Sequence, residues 1–228
     1  MKNTFKIIVW LCVFLSLNFW VFATDYYIST TWWGTECSEI NPCDIFDNAI
    51  WLMTPWDSMI IEDGTYNQTL DIKKSWTKLN PIIIEAQNTW KVIISWDQSN
   101  NTAQGLKIFS QSNITIKWIN FKSKWDISAI SIYTKDGDWD NMPDNIIMRN
   151  FSVEGSCDQK NCNAMTIKAE NSLFEDFYAY GHWRYVINFY WSDNNTLRNW
   201  VIRWDYWDGS GYKPNDPRFS LWVYNSHN

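Results

Sequence analysis

Glycine is scarce in this chain: it has 8 in 228 residues, where average usage of about 7% would give roughly 16. Histidine is nearly absent, with only His182 and His227, so a histidine-rich metal site is excluded. Cations are in the minority, 19 Lys and Arg against 25 Asp and Glu, for a net charge of −6. Without a basic stripe to offset phosphate charge, a nucleic-acid partner is excluded. No G-x-S-x-G, P-loop, H-E-x-x-H or dinucleotide fingerprint occurs, which leaves no nucleotide cofactor site. Apolar helical periodicity is missing from residue 82 onward. Beyond residue 23 no stretch is long and apolar enough to span a bilayer.

What is present begins with a leader. Residues 1–23 place Lys2 and Lys6 before an apolar run that ends in Val21-Phe22-Ala23, the pattern of a secretory signal peptide. An uncleaved N-terminal anchor is the alternative. Cys12 lies in that segment, so the mature chain keeps Cys37, Cys43, Cys157 and Cys162 as two local pairs in polar loops. In a secreted or cell-surface protein such spacing reads as disulfides, Cys37–Cys43 and Cys157–Cys162 closing the shortest loops. A zinc site built from all four thiolates would prefer closer spacing. Mean hydropathy of −0.37 and 46% hydrophobic residues suit a soluble domain with a sizeable core, expected as a monomer.

The body of the chain is repetitive. Short β-rich runs start at Ile82, Leu106, Ile130, Met165, Ile187 and Ser220, and a second set ("VIIS", "ITIKWINF", "IIMRNFSV", "LFEDFYAY", "LRNWVIRW") follows all but the last. Two short strands per unit, with loops inserted in some units, is solenoid behaviour. Asn113, Asn145, Asn171 and Asn195 each stand just before the second strand of a unit. Asn tolerates left-handed backbone, and its amide can bond the same residue in the next coil. Near the front, "NPCDIFDNAIWLM" (41–53) repeats Ile45, Phe46, Ala49, Ile50 and Met53 along one helical face, the form of a cap over an open solenoid end.

These features resemble the pectate lyase superfamily of right-handed, single-stranded parallel β-helices. The Asn column resembles that family's asparagine ladder. "PWDSMIIEDGTY" (55–66) is similar to its "PGDxIxIxxGTY" entry into the first coil, and "NITIKWINF" (113–121) to its "NITIxGxxF" coil. The fold expected is therefore all-β, with a signal at 1–23, an N-terminal cap and first coil at 24–80, and coils from 81 to 228. The chain stops at Asn228 at a turn, without a polar cap, and so reads as a fragment of a longer helix.

Both motif comparisons place glycine where this chain has Trp56 and Trp118. The chain carries 18 Trp, and most stand among turn residues: "TTWWGT", "KSWTKLN", "QNTWKVIISWDQS", "SKWDIS", "GDWDN", "GHWRY", "FYWSDNN". Reading Trp as Gly turns nearly all of these into ordinary turns. Some bacterial lineages read UGA as Gly, whereas a commoner alternative table reads it as Trp. Translation with the wrong table gives this pattern, with Trp204 and Trp207 the best candidates for genuine tryptophans. On this reading Trp56, Trp76, Trp96 and Trp125 fall in turns or loops and are poorly buried. The competing reading makes the tryptophans stacking platforms for sugars.

Candidate chemistry is sparse. "KDGDWDNMPDN" (135–145) sets Asp136, Asp138, Asp140 and Asp144 in one loop. Alternating carboxylates suit a hard cation, and the stretch resembles the Ca2+ loops of thrombospondin type-3 repeats. A solvated acidic loop is the alternative. Lyases of the superfamily use Ca2+ to acidify the proton beside a uronate carboxylate, with Arg or Lys as base. The resemblance makes Arg184, Arg203 and Lys168 base candidates, with His182, Asp205 and Asp208 in the same groove as catalytic and substrate-binding residues. The expected partner is a polysaccharide. A non-catalytic adhesion or carbohydrate-binding solenoid is the other class.

Overall fold

The structure is a computed structural model that describes residues 23–96, 104–124, 128–135, 138–156, 163–182, 185–204 and 219–224. Residues 1–22 of the expected signal at 1–23, together with Cys157, Cys162, Arg184, Asp136, Asp205, Asp208, Trp125 and Trp207, lie outside these residues.

The strands form a parallel β-helix with three faces. On the first face lie β1 (Asp25–Ile28), β2 (Ser58–Ile61), β5 (Ile82–Ala86), β8 (Ile114–Lys117) and β11 (Ile146–Arg149). The second carries β3 (Gly64–Tyr66), β6 (Val92–Trp96), β9 (Ile119–Lys124) and β12 (Ser152–Ser156). Two long strands, β14 (Leu173–His182) and β16 (Thr196–Trp204), bend from the first face onto the second, and so join both into one 11-stranded sheet. A 6-stranded sheet forms the third face, from β4 (Leu70–Ile72), β7 (Leu106–Phe109), β10 (Ile130–Tyr133), β13 (Asn163–Ile167), β15 (Tyr185–Tyr190) and β17 (Phe219–Tyr224).

All the pairings of these strands are parallel, and each brings like residues of successive coils together. On the first face Met59, Ile84, Ile116, Met148, Phe174 and Leu197 form one inward column. On the second, Tyr66, Ile94, Phe121, Val153, Ala179 and Ile202 do the same. On the third the column is Leu70, Leu106, Ile130, Met165, Ile187 and Leu221. Alternation along each strand turns these residues inward and their neighbours out. β-branched Ile suits a pleated, half-buried surface, so local preference and burial agree.

Two expectations are corrected by this register. The coils from β2 to β13 have three strands, not two, because "ITIKWINF" and "IIMRNFSV" each contain two strands that meet at a corner, whereas β14 and β16 each run through that corner as one strand. "IIIEA" therefore pairs with "ITIK" on the first face, and does not align with "LKIF". The left-handed residue of the last Asn turn is Asn194 at φ 54°, not Asn195. Asn195 instead receives Ser172 N–H at its Oδ1 and donates to Ala169 O. Asn113, Asn145 and Asn171 do hold positive φ, and Asn145 donates its amide to Asn113 Oδ1 at 2.9 Å. Asn171 bonds Asp144 Oδ1 at 2.7 Å, so amide-to-amide bonding does not run through all the rungs.

The N-terminal end is closed by α1 (Phe46–Leu52). Its Phe46, Ala49 and Ile50 are fully buried, and the Phe46 ring sits 5.4 Å from that of Tyr66 in the first coil. Ile45 precedes the helix and is 48% exposed, so it does not belong to the apolar face expected of it. The Cys37–Cys43 disulfide, with Cα atoms 4.5 Å apart, holds the segment before this cap, and both cysteines are buried.

Candidate functional site

The outward column of the second face gathers unlike charges with aromatic rings. Lys122, Glu154, Tyr180 and Arg203 occupy the same register position on β9, β12, β14 and β16. Stacking of adjacent strands sets successive members about 4.8 Å apart. Lys122 Nζ pairs with Glu154 Oε2, and Tyr180 OH donates to the same oxygen at 2.7 Å. The Arg203 guanidinium lies 5.3 Å from the Tyr180 ring and 5.8 Å from that of Tyr178, and the two rings are 4.8 Å apart. Beside them Ser152 donates to Asn120 Oδ1 at 2.6 Å, and Asn120 donates in turn to Val92 O.

Electrostatics define each role. Burial pushes the Glu154 carboxyl up, but the hydrogen bonds from Lys122 and Tyr180 and the Lys122 charge outweigh it and hold it below its ordinary value. Burial raises Tyr180 strongly, and the hydrogen bond and charge of Glu154 raise it further, against a small opposing effect of Arg203. At neutral pH Tyr180 is therefore a phenol that donates, and Glu154 is an anion that accepts. The column presents two cationic ends and a pair of tilted tyrosine rings.

The first face has a separate ladder. Glu175, 5% exposed, lies between Arg149 and Arg198 of the neighbouring coils, with Arg149 Nε 2.5 Å from Oε1 and Arg198 Nε 2.7 Å from Oε2. Lys117 and Glu85 pair at 2.9 Å on the same face. These pairs neutralise one another across coils and read as structural.

Of the expected catalytic residues, Arg203 and Lys168 lie on different faces. Arg203 lies on the second face. Lys168 follows β13 on the third, 3% exposed, with its Nζ 4.9 Å from the Trp139 ring centroid. His182 ends β14 with its backbone paired to Ser156. Among the described members of the acidic loop, Asp138 holds the Asn141 amide at 2.9 Å, and Asp144 holds that of Asn171. Among the described residues no three His, Cys, Asp or Glu side chains converge on a metal position. Asp144, Glu170 and Asp193 instead stack along one turn, where burial and then the charges of Asp193 and Asp144 raise the Glu170 carboxyl. Lys122, Glu154, Tyr178 and Tyr180 were missed from sequence; their common signal is an outward position beside Phe121, Val153 and Ala179.

No family model matches the chain, and no curated protein matches it in sequence. Its fold does match a crystal structure of pectate lyase Pel9A, with a TM-score of 0.56 and 14% identity over 84% of this chain and 57% of that one. The fold is a parallel β-helix of the pectate lyase kind. The chain spans little more than half of that enzyme's length. A rhamnogalacturonan lyase is also similar, at a TM-score of 0.49 and 12% identity over 90% of this chain and 63% of that one. At such identities the likeness concerns the fold alone.

Proposed function

We propose that this protein is secreted and binds or cleaves a uronate-containing polysaccharide along the outer side of its second face. The observation that carries the reading is the Lys122–Glu154–Tyr180–Arg203 column with Tyr178 beside it. Sugar rings stack on aromatic faces, and a guanidinium takes a carboxylate in bidentate fashion. Arg203 is exposed at the end of the column, where a uronate carboxylate can reach it. The fold shared with pectate lyase Pel9A supports the substrate class by analogy.

Two outcomes follow from that binding. In a lyase, a cation neutralises the uronate carboxylate while a base removes the adjacent proton. Arg203 suits the first task better than the second, since a guanidinium stays protonated. Calcium would supply the same neutralisation. Of the acidic loop, Asp138 and Asp144 are already engaged with the Asn141 and Asn171 amides. In a binding module the column is the site itself. That Glu154 is already bonded to both Lys122 and Tyr180 favours this second reading.

The test is incubation of the full chain with polygalacturonate and with alginate, with and without Ca2+, following unsaturated product by absorbance and binding by sedimentation. Product formation supports the lyase. Retention without product supports the binding module. Neither with any uronate polymer overturns the proposal.

A further inference from the structure

Among the described residues, 13 non-Gly positions have positive φ: six Asn, four Trp and one each of Asp, Ser and Cys. Asn and Asp visit this region at little cost, because their short polar side chains bond locally. Tryptophan has no such means, and its Cβ meets the following carbonyl. The four are Trp56, Trp90, Trp118 and Trp191, at φ 79°, 65°, 63° and 53°.

Each stands at a turn or corner whose backbone is left-handed. Thr54 to Asp57 is closed by Asp57 N–H to Thr54 O at 3.1 Å, with Pro55 second and Trp56 third. A turn with Pro second and φ near +80° third is type II, which calls for Gly at that third place. Asn88 to Lys91 repeats this closure, with Trp90 third. Trp118 forms the corner between β8 and β9, and the same corner in the next coils is held by Asn150, Asp176 and Asn199, all at positive φ. Trp191 leaves β15 at another corner, its N–H bonded to Tyr224 O. Burial does not offset the strain at the first two, because Trp56 is 50% and Trp90 46% exposed.

Other tryptophans behave differently, which makes the inference specific. Trp51 lies inside α1, Trp200 and Trp222 lie inside strands, and Trp96 ends β6 rather than standing in a loop. Trp76 is 7% exposed within the core, contrary to the expectation of poor burial. None of these has positive φ.

We propose that glycine occupies positions 56, 90, 118 and 191 in the protein as its organism makes it, encoded by UGA codons read as glycine. There is a consequence for binding. Trp191 packs on Trp139, Tyr190 and Tyr224; with glycine at 191 that aromatic surface loses its central ring. Sugar stacking then falls to tyrosines, not to the tryptophans of the turns.

Codons and peptide masses decide the matter. We expect UGA at all four positions, and peptides of the protein purified from its source that carry glycine there. UGG codons, or peptides that carry tryptophan, overturn the proposal. A stability comparison is independent of the source: in the recombinant chain, Trp56→Gly and Trp118→Gly raise the denaturant midpoint, and Trp76→Gly lowers it. A fall in midpoint for both turn variants counts against glycine as the residue these corners were built for.

Discussion

Trp118 and Asn150 occupy the same corner of adjacent coils and share left-handed backbone, at φ 63° and 51°. In these two coils the chain passes from the first face to the second without a longer loop, so one left-handed residue absorbs most of the change of direction. That residue sets the angle between β8 and β9, and between β11 and β12. The corner is thus a backbone demand, met by an amide in one coil and by an indole in the other.

The demand can be measured at Asn150, whose native residue is not in question. Asn150→Ala places a Cβ-bearing residue without a local polar bond in the left-handed region, at a cost of about 1 kcal/mol. Asn150→Gly relieves the backbone and is expected to change stability by no more than about 0.5 kcal/mol. Denaturant unfolding of the two variants should rank Gly above Ala; equal stability would remove the strain argument at this corner.

Glu175 is the buried centre of the first-face ladder, held by arginines from both adjacent coils. Its replacement by Ala leaves two guanidinium groups facing each other without their anion. Removal of one partner from a buried pair costs about 3–5 kcal/mol. Both arginines are exposed enough for water to solvate them once the anion is gone, so the cost here falls below that range, about 1–2 kcal/mol. The paired variant Arg149→Met with Glu175→Leu should lose less than Glu175→Ala alone, as read from unfolding midpoints.

Two carboxylates give opposite pH signatures. Glu154 is held below its ordinary value despite burial, by Lys122 and Tyr180. Its contribution is therefore present above the unfolded value of about 4.3 and is lost as pH falls through its folded value. Glu170 is raised, first by burial and then by Asp193 and Asp144. Its ionisation therefore weakens the fold as pH rises through its folded value. Thermal scans should show Glu170→Gln more stable than the parent at pH 7 and little changed near about pH 4. Glu154→Gln should flatten the acid limb of the stability curve. Identical pH profiles for both variants would contradict these assignments.

Much of the fold was legible because inward columns recur as Ile-rich alternation, and Asn before strands marked one corner. The third strand per coil was not. In "ITIKWINF" the inward residues Ile116 and Ile119 are three apart, so the alternation slips by one at the corner, but the apolar Trp118 between them hides the slip. Only the backbone at Trp118 reveals the break. Asn194 and Asn195 are adjacent, and sequence offers no means to say which takes the left-handed place. The candidate column was hidden for a related reason. Lys122, Glu154, Tyr180 and Arg203 come from coils of unequal length, and inserted loops obscure their common register. Arg203 was found through its charge, and Tyr180 becomes meaningful only once Glu154 is known to lie beside it.

The binding reading makes its sharpest prediction at Lys122. An anionic glycan is attracted by Lys122 and Arg203 and repelled by Glu154, whose charge Lys122 screens. Arg203→Ala removes an exposed cation and its packing over two tyrosine rings; binding should weaken roughly tenfold, equivalent to about 1.4 kcal/mol. Lys122→Ala should weaken it at least as much, because the cation disappears and the Glu154 charge is bared together. The combined variant Lys122→Ala with Glu154→Gln should then recover part of the loss, since the repelling charge is gone. All these differences should shrink as salt rises and the Debye length falls to about 8 Å at 0.15 M. A neutral glycan should show none of them. If Arg203→Ala and Lys122→Ala leave uronate binding unchanged at low salt, the second face is not the track and the glycan lies elsewhere on the helix.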